Sequence, residues 1–144
     1  MNPRMLTICA LVTMCCSSQS QEDETEEFSP VLAKHLRGIS ERNLGYIEAT
    51  VDDHVTLILP DGSMVESKQE FVEFHRQWFK DPTWKMEQVV LETNEGRDMS
   101  YCLLNYRIIR VGENAGPETF LLLVFRKQAT GWKLVHDQNT RVAR

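Results

Sequence analysis

Residues Phe120 to Thr140 read Phe-Leu-Leu-Leu-Val-Phe-Arg-Lys-Gln-Ala-Thr-Gly-Trp-Lys-Leu-Val-His-Asp-Gln-Asn-Thr. This segment constrains the fold more than any other. It is two strand-forming runs joined at Thr130-Gly131, a tight-turn pair. The first run, Leu121 to Phe125, is apolar at every position. A strand of that kind belongs in the middle of a sheet with material packed on both faces. The second run starts at Trp132 and turns polar as it proceeds, which fits a strand leaving the core.

The rest of the chain supplies what covers that sheet. Leu32, His35, Leu36 and Ile39 recur at helical spacing, so Phe28 to about Ser40 is expected to be a helix. Glu41-Arg42-Asn43 breaks it, and Leu44 to Val51 resumes as a short second helix. Val55 to Leu59 reads as a strand, followed by the turn Pro60-Asp61-Gly62-Ser63. Ser67 with Glu70 three residues on forms a capping box. It opens a third helix with Phe71, Phe74, Trp78 and Phe79 inward, ended by Asp81-Pro82. Strands are expected over Trp84 to Thr93, Met99 to Val111, Phe120 to Lys127 and Trp132 to Thr140. In Met99 to Val111, Tyr101, Leu103, Asn105 and Arg107 alternate against Cys102, Leu104, Tyr106 and Ile108. The expected class is α+β, with about three helices on one face of a bent antiparallel sheet.

The order of elements resembles the nuclear transport factor 2-like, or SnoaL-like, cone-shaped α+β fold, over about residues 28–142. Two subgroups are similar in detail. One is a family of small bacterial domains of unknown function. Its Trp-Phe helix end before Pro and its terminal Trp-Lys-x-Val-His-Asp match Trp78-Phe79, Pro82 and Trp132-Lys133-Leu134-Val135-His136-Asp137. The other is the association domain of calcium/calmodulin-dependent protein kinase II and its bacterial relatives. It is similar in Tyr46, in Phe74-His75-Arg76 with Phe79, and in Trp132 with Val135-His136. The association-domain pocket carries arginines where Leu103 and Leu123 stand here. Its anion clamp is then missing, unless Arg107 supplies one from near the pocket mouth. Ketosteroid isomerases share the fold and place an Asp base on the first strand. The matching Leu57-Ile58-Leu59 is apolar and does not support that chemistry.

Composition and the N-terminus bound the setting. Net charge is −5, with no basic stripe, so nucleic acid is not an expected partner. Arg4 precedes a charge-free run from Met5 to Cys16, the length of a signal-peptide apolar region. Residues 1–20 therefore read as an export signal and residues 21–27 as an acidic linker, with the domain at 28–142. The expected location is periplasmic or extracellular. Val12-Thr13-Met14-Cys15 resembles a lipoprotein signal but has Met14 where a small residue is usual, so membrane attachment depends on Cys15 being lipidated. Cys102 is the sole cysteine of the domain and reads as a small apolar strand residue.

The candidate ligand pocket combines polar Tyr46, His75, Asn105, Arg107 and His136 with apolar Trp78, Leu103 and Leu123. His75 lies between Phe74 and Trp78 on the inner side of its helix, where it would either bond a ligand or be satisfied within the core. His136, Gln138 and Thr140 share one strand face, lining a pocket or forming a polar subunit contact. Asp52, Asp53 and His54 read as a solvated helix-to-strand turn or as an acid–base pair. The four histidines have no metal-ligand spacing, no cofactor motif occurs, and no catalytic residue stands out. The expected function is to bind a small, largely apolar ligand in the cone and to self-associate, as a homodimer or larger, through the sheet. The rivals are an isomerase, cyclase or hydrolase using His75 or Asp53 with Tyr46, and a pure assembly module.

Overall fold

The helical spacing around His35 is realised in α1, Phe28–Ser40, whose buried side includes Phe28, Val31, Leu32, His35 and Ile39. The computed structural model describes residues 27–143. The export signal, the possible lipid site at Cys15 and nearly all of the acidic linker lie outside the described residues. Helix α1 ends in a Schellman motif: Asn43 N–H bonds Gly38 O at 2.8 Å, and Arg42 N–H bonds Ile39 O at 3.2 Å. Arg42 takes the left-handed position with φ 53°, where glycine is usual. Its guanidinium gives the reason, stacking 4.2 Å over the Trp84 ring and donating to the carbonyls of Pro82 and Trp84. Asn43 then caps α2, Leu44–Thr50, by accepting from Tyr46 N–H at 3.2 Å.

Strand β1 is Val51–Ile58 and β2 is the two-residue Met64–Val65, which the sequence did not disclose. Helix α3, Lys68–Trp78, opens on the Ser67–Glu70 capping box. The long strands are β3 (Trp84–Glu95), β4 (Met99–Arg110), β5 (Thr119–Gln128) and β6 (Gly131–Arg141). They form one six-stranded sheet in the order β2-β1-β6-β5-β4-β3. The α+β cone is as expected, with one difference: β1 runs parallel to β6, so the sheet is mixed and not purely antiparallel. The connection from β1 to β6 takes in residues 59–130, half of the chain, and no local pattern specifies its direction.

The strand that is apolar on both faces, β5, lies between β4 and β6. Leu121, Leu123 and Phe125 face inward at 3%, 0% and 0% exposure. At the closed end of the cone, Phe28 packs edge-on to Phe125 at 5.4 Å and to Trp132 at 5.5 Å.

One local feature positions the site. Val124 pairs with His136 while Phe125 pairs with Leu134, so Val135 is an extra residue, a β-bulge. Trp132 and Leu134 face inward before it. The extra residue shifts the phase, and beyond it Asp137 and Asn139 face inward while His136 and Gln138 face outward.

Candidate functional site

Between α3 and the far half of the sheet, the cone encloses a cavity of about 180 Å³. Its walls are mostly apolar. Phe74 and Trp78 come from α3, Leu57 and Leu59 from the β1 region, Met86 from β3, Ile108 from β4 and Leu121 from β5. Four polar side chains enter it: His75, Tyr106, Asp137 and Asn139. A mostly apolar cavity with a few converging polar groups is the usual form of a small-molecule site.

The polar groups form an ordered chain. Tyr106 O–H donates to Asn139 Oδ1 at 2.8 Å. Asn139 Nδ2–H donates to Asp137 Oδ1 at 2.8 Å and to the Ile58 carbonyl at 3.0 Å. Asn139 thus holds Asp137 in place and fixes one of its oxygens. Burial disfavours the charged carboxylate, and the Asn139 bond offsets only part of this, so the Asp137 pKa rises to about 7. Near neutral pH the group is divided between acid and carboxylate and can donate or accept a proton. Burial and the nearby Asp137 raise the Tyr106 pKa to about 12, so Tyr106 stays a neutral donor.

His75 is 2% exposed and stacks on Phe71 with ring centroids 4.4 Å apart. Its Nδ1 lies 2.8 Å from the Phe71 carbonyl. A carbonyl only accepts, so Nδ1 carries the proton and Nε2 the lone pair. Burial lowers its pKa to about 4, so the ring is neutral near pH 7. The cavity therefore has a neutral acceptor on its helical wall and a titrating carboxyl on its sheet wall.

The structure separates the residues that the sequence analysis grouped. His75 and Trp78 line the cavity. Leu103, Asn105 and Arg107 do not: they lie on the outer face of β4, opposite the inward Cys102, Leu104 and Tyr106. Arg107 is engaged there in a surface ion pair with Glu118, so it supplies no anion clamp to the cavity. Leu123 faces inward, but it is fully buried in the core and does not line the cavity. Tyr46 lies on the outside of the α1–α2 pair, beneath Arg37 with 5.3 Å between guanidinium and ring centre, away from His75. His136 is turned outward by the bulge and lies 3.3 Å from Gln138. Asp52 is not in a solvated turn: it is the second residue of β1, at 7% exposure, and accepts from His54 N–H, Gln128 and Arg126. Asp53 is exposed and lies 3.9 Å from Lys68.

Sequence reasoning missed Tyr106, Asp137 and Asn139 as site residues. Strict alternation from Trp132 and Leu134 puts His136 inside, and only the bulge reverses this. Asp137 was visible as the last residue of the Trp-Lys-x-Val-His-Asp motif, but its orientation was not.

These elements define an NTF2-like cone of three helices on a six-stranded mixed sheet. A family model described as a SnoaL-like domain matches residues 30–140, and the chain belongs to that family. Among solved structures, a domain of unknown function with a cystatin-like fold from Nostoc punctiforme has TM-score 0.70 and 22% identity, covering 81% of this chain and 77% of that one. A putative calcium/calmodulin-dependent protein kinase type II association domain from Thiobacillus denitrificans has TM-score 0.68 and 16% identity, covering 80% and 94%. A structure described as an LEH-like epoxide hydrolase from M. tuberculosis has TM-score 0.63 and 11% identity, covering 83% and 85%. These likenesses establish the fold. No curated protein matches the chain by sequence.

Proposed function

We propose that this domain binds a small, largely apolar molecule in the mouth of its cone and fixes it by one or two hydrogen bonds to Asp137 and His75. The observation that carries the reading is the cavity of about 180 Å³, apolar on most sides, with a buried carboxyl at its wall. A buried carboxyl of raised pKa has little structural use beside empty space, whereas it suits a ligand carbonyl or hydroxyl. A bicyclic phenol such as 2-naphthol is a suitable probe. Binding should quench fluorescence from Trp78, and Leu59→Trp, which fills the cavity at its rim, should abolish it. No binding to the wild type, or binding unchanged in Leu59→Trp, would overturn the proposal.

A second reading is proton-transfer catalysis, favoured by the geometry: the buried Asp137 carboxyl and the neutral His75 imidazole line one cavity, and burial raises the Asp137 pKa to about 7. Solved structures of this fold include ones described as ketosteroid isomerase-like and as an epoxide hydrolase, so the scaffold accommodates such chemistry. Carbon-detected NMR titration of the Asp137 carboxyl is the direct test. A midpoint near 7 supports it, and one below 5 removes the basis for an acid–base role.

The outer face of the sheet supports self-association as part of the same reading. Val89 is 64%, Met99 48% and Phe120 39% exposed, with Leu122 and Val124 beside them. Sedimentation at micromolar concentration should show at least a dimer, and a monomer that persists at high concentration would exclude it. Export is proposed from residues 1–20 alone and is checked by the mass of the mature protein's first peptide.

A further inference from the structure

The cavity of about 180 Å³ falls short of the roughly 300–1,000 Å³ typical of sites for metabolite-sized ligands. It does not end at Tyr106. A second cavity of about 220 Å³ shares Pro60, Tyr106 and Ile108 with it, so the two adjoin as an inner and an outer chamber. Together they enter the usual range. The outer chamber has a different character: Arg110 and Arg141 reach it from the ends of β4 and β6.

The register of the sheet makes the sequence of groups along the cone regular. Asp137, Asn139 and Arg141 alternate down one face of β6, and Tyr106, Ile108 and Arg110 down one face of β4. The inward wall therefore runs from apolar core, through carboxyl, amide and phenol, to two guanidinium groups at the rim. Arg110 is partly engaged, 3.6 Å from Asp81. Arg141 makes no ion pair among the described residues. Glu113 also lines the outer chamber, Asp81 pairs with Arg110, and Asp61 is near enough to Arg141 for the two charges to interact, so the positive charge is largely compensated, which argues against a multiply charged ligand.

We infer that the outer chamber is a carboxylate subsite anchored by Arg141, and that the ligand is an amphipathic monocarboxylic acid oxygenated at its far end. The inference rests on the proposed inner pocket and specifies its ligand class. The spacing sets the length. Asp137 and Arg141 are four residues apart on one strand, so at about 3.3 Å per residue their backbones lie ~13 Å apart. A hydroxy or keto group at Asp137 and a carboxylate at Arg141 must be separated by a comparable distance, which suits a medium-length chain or two fused rings. The planar guanidinium fork matches a carboxylate with two parallel N–H···O bonds. Because arginine stays charged, the carboxylate preference should persist across the range in which Asp137 titrates.

The test compares two probes of equal length, 10-hydroxydecanoate and 1,10-decanediol, on wild type and Arg141→Gln by calorimetry at low ionic strength. Wild type should prefer the hydroxy acid by about tenfold, as one charge-assisted contact implies. Arg141→Gln should remove that preference by weakening the hydroxy acid far more than the diol, and should keep the thermal midpoint, since Arg141 is exposed at the strand end. Equal binding of both probes to wild type, or a preference that survives in Arg141→Gln, would overturn the subsite while leaving the inner pocket intact. Binding of neither probe while 2-naphthol still binds would overturn the subsite alone, and binding of none of the three would overturn the pocket reading with it.

Discussion

His35 and His75 lie on either side of Phe71, with ring centroids 6.4 and 4.4 Å from it. Both are buried, at 0% and 2% exposure, and burial depresses both pKa values, to about 3 and about 4. His35 belongs to the closed half of the cone. Its Nδ1 is 2.8 Å from Thr50 Oγ1, and that hydroxyl already donates to the Tyr46 carbonyl at 2.9 Å. His35 Nδ1–H is therefore the donor, and Nε2 is a buried lone pair without a partner. Phe125 packs edge-on against its ring, and His35 does not line the cavity. His75 has the same tautomer and the same degree of burial, yet its ring borders empty space. Burial alone does not separate a core histidine from a pocket histidine. What separates them is whether the remaining face of the ring is packed.

The largest expected effect acts on both regions together. A histidine with a lowered pKa stabilises the fold fully above about 6.5, and this is lost as pH falls toward about 4 for His75 and about 3 for His35. Asp137 works in the opposite sense. Its contribution is full below 3.8 and is lost as pH rises through about 7. Near pH 5 the unfolded chain binds two histidine protons, and the folded chain binds one at Asp137. The net difference of nearly one proton predicts that unfolding free energy falls by roughly 1 kcal/mol per pH unit on acidification through this range. Asp137→Asn removes the opposing group, so the slope should roughly double. Denaturant titrations from pH 4.5 to 6 measure both slopes, and equal slopes would mean that Asp137 is not held neutral.

The next effect separates the two halves. His35→Ala strands the Thr50 hydroxyl's accepting side and leaves a void in a packed core, at a cost of about 3 kcal/mol. His75→Ala should cost only about 1 kcal/mol. Its partner carbonyl at Phe71 sits four residues earlier in the same helix and keeps the backbone bond, and the cavity is simply enlarged. Urea unfolding at pH 7.5 ranks the pair, and a reversed order would end the distinction drawn here. A smaller effect is confined to the mouth. Tyr106→Phe removes one hydrogen bond to Asn139 and loosens the support of Asp137, costing about 1 kcal/mol of stability. The same change should lower the affinity for 2-naphthol severalfold, read from the Trp78 quench.

The fold was legible because its signals are local and mutually consistent. The capping box at Ser67 and Glu70, the helical period of α1 and the hairpin turn each constrain a few neighbouring residues, although the turn pair is Ala129-Thr130 and Gly131, at φ 102°, already begins β6. The breaks read at Glu41-Arg42-Asn43 and Asp81-Pro82 also fall where helices end. The two-residue β2 was not legible, because two residues have no period. The parallel pairing of β1 with β6 was not legible either, since those strands meet only after the chain between them has folded.

The site was read less well, for a definable reason. In β4 the set Cys102-Leu104-Tyr106-Ile108 is the more apolar and does face the core, while Leu103, Asn105 and Arg107, read as pocket residues, lie on the outer face. Here the polarity of the alternating sets carried the signal that places Tyr106, and not Asn105, inside. In β6 the alternation itself is interrupted, and one bulged residue at Val135 exchanges His136 for Asp137 at the cavity wall. The sequence by itself determined the class of fold, most element boundaries and the place of His75 and Trp78 on the inner side of α3. Only the tertiary structure decided which carboxyl enters the cavity, because strand phase depends on the register between β5 and β6, and register is a property of the pair.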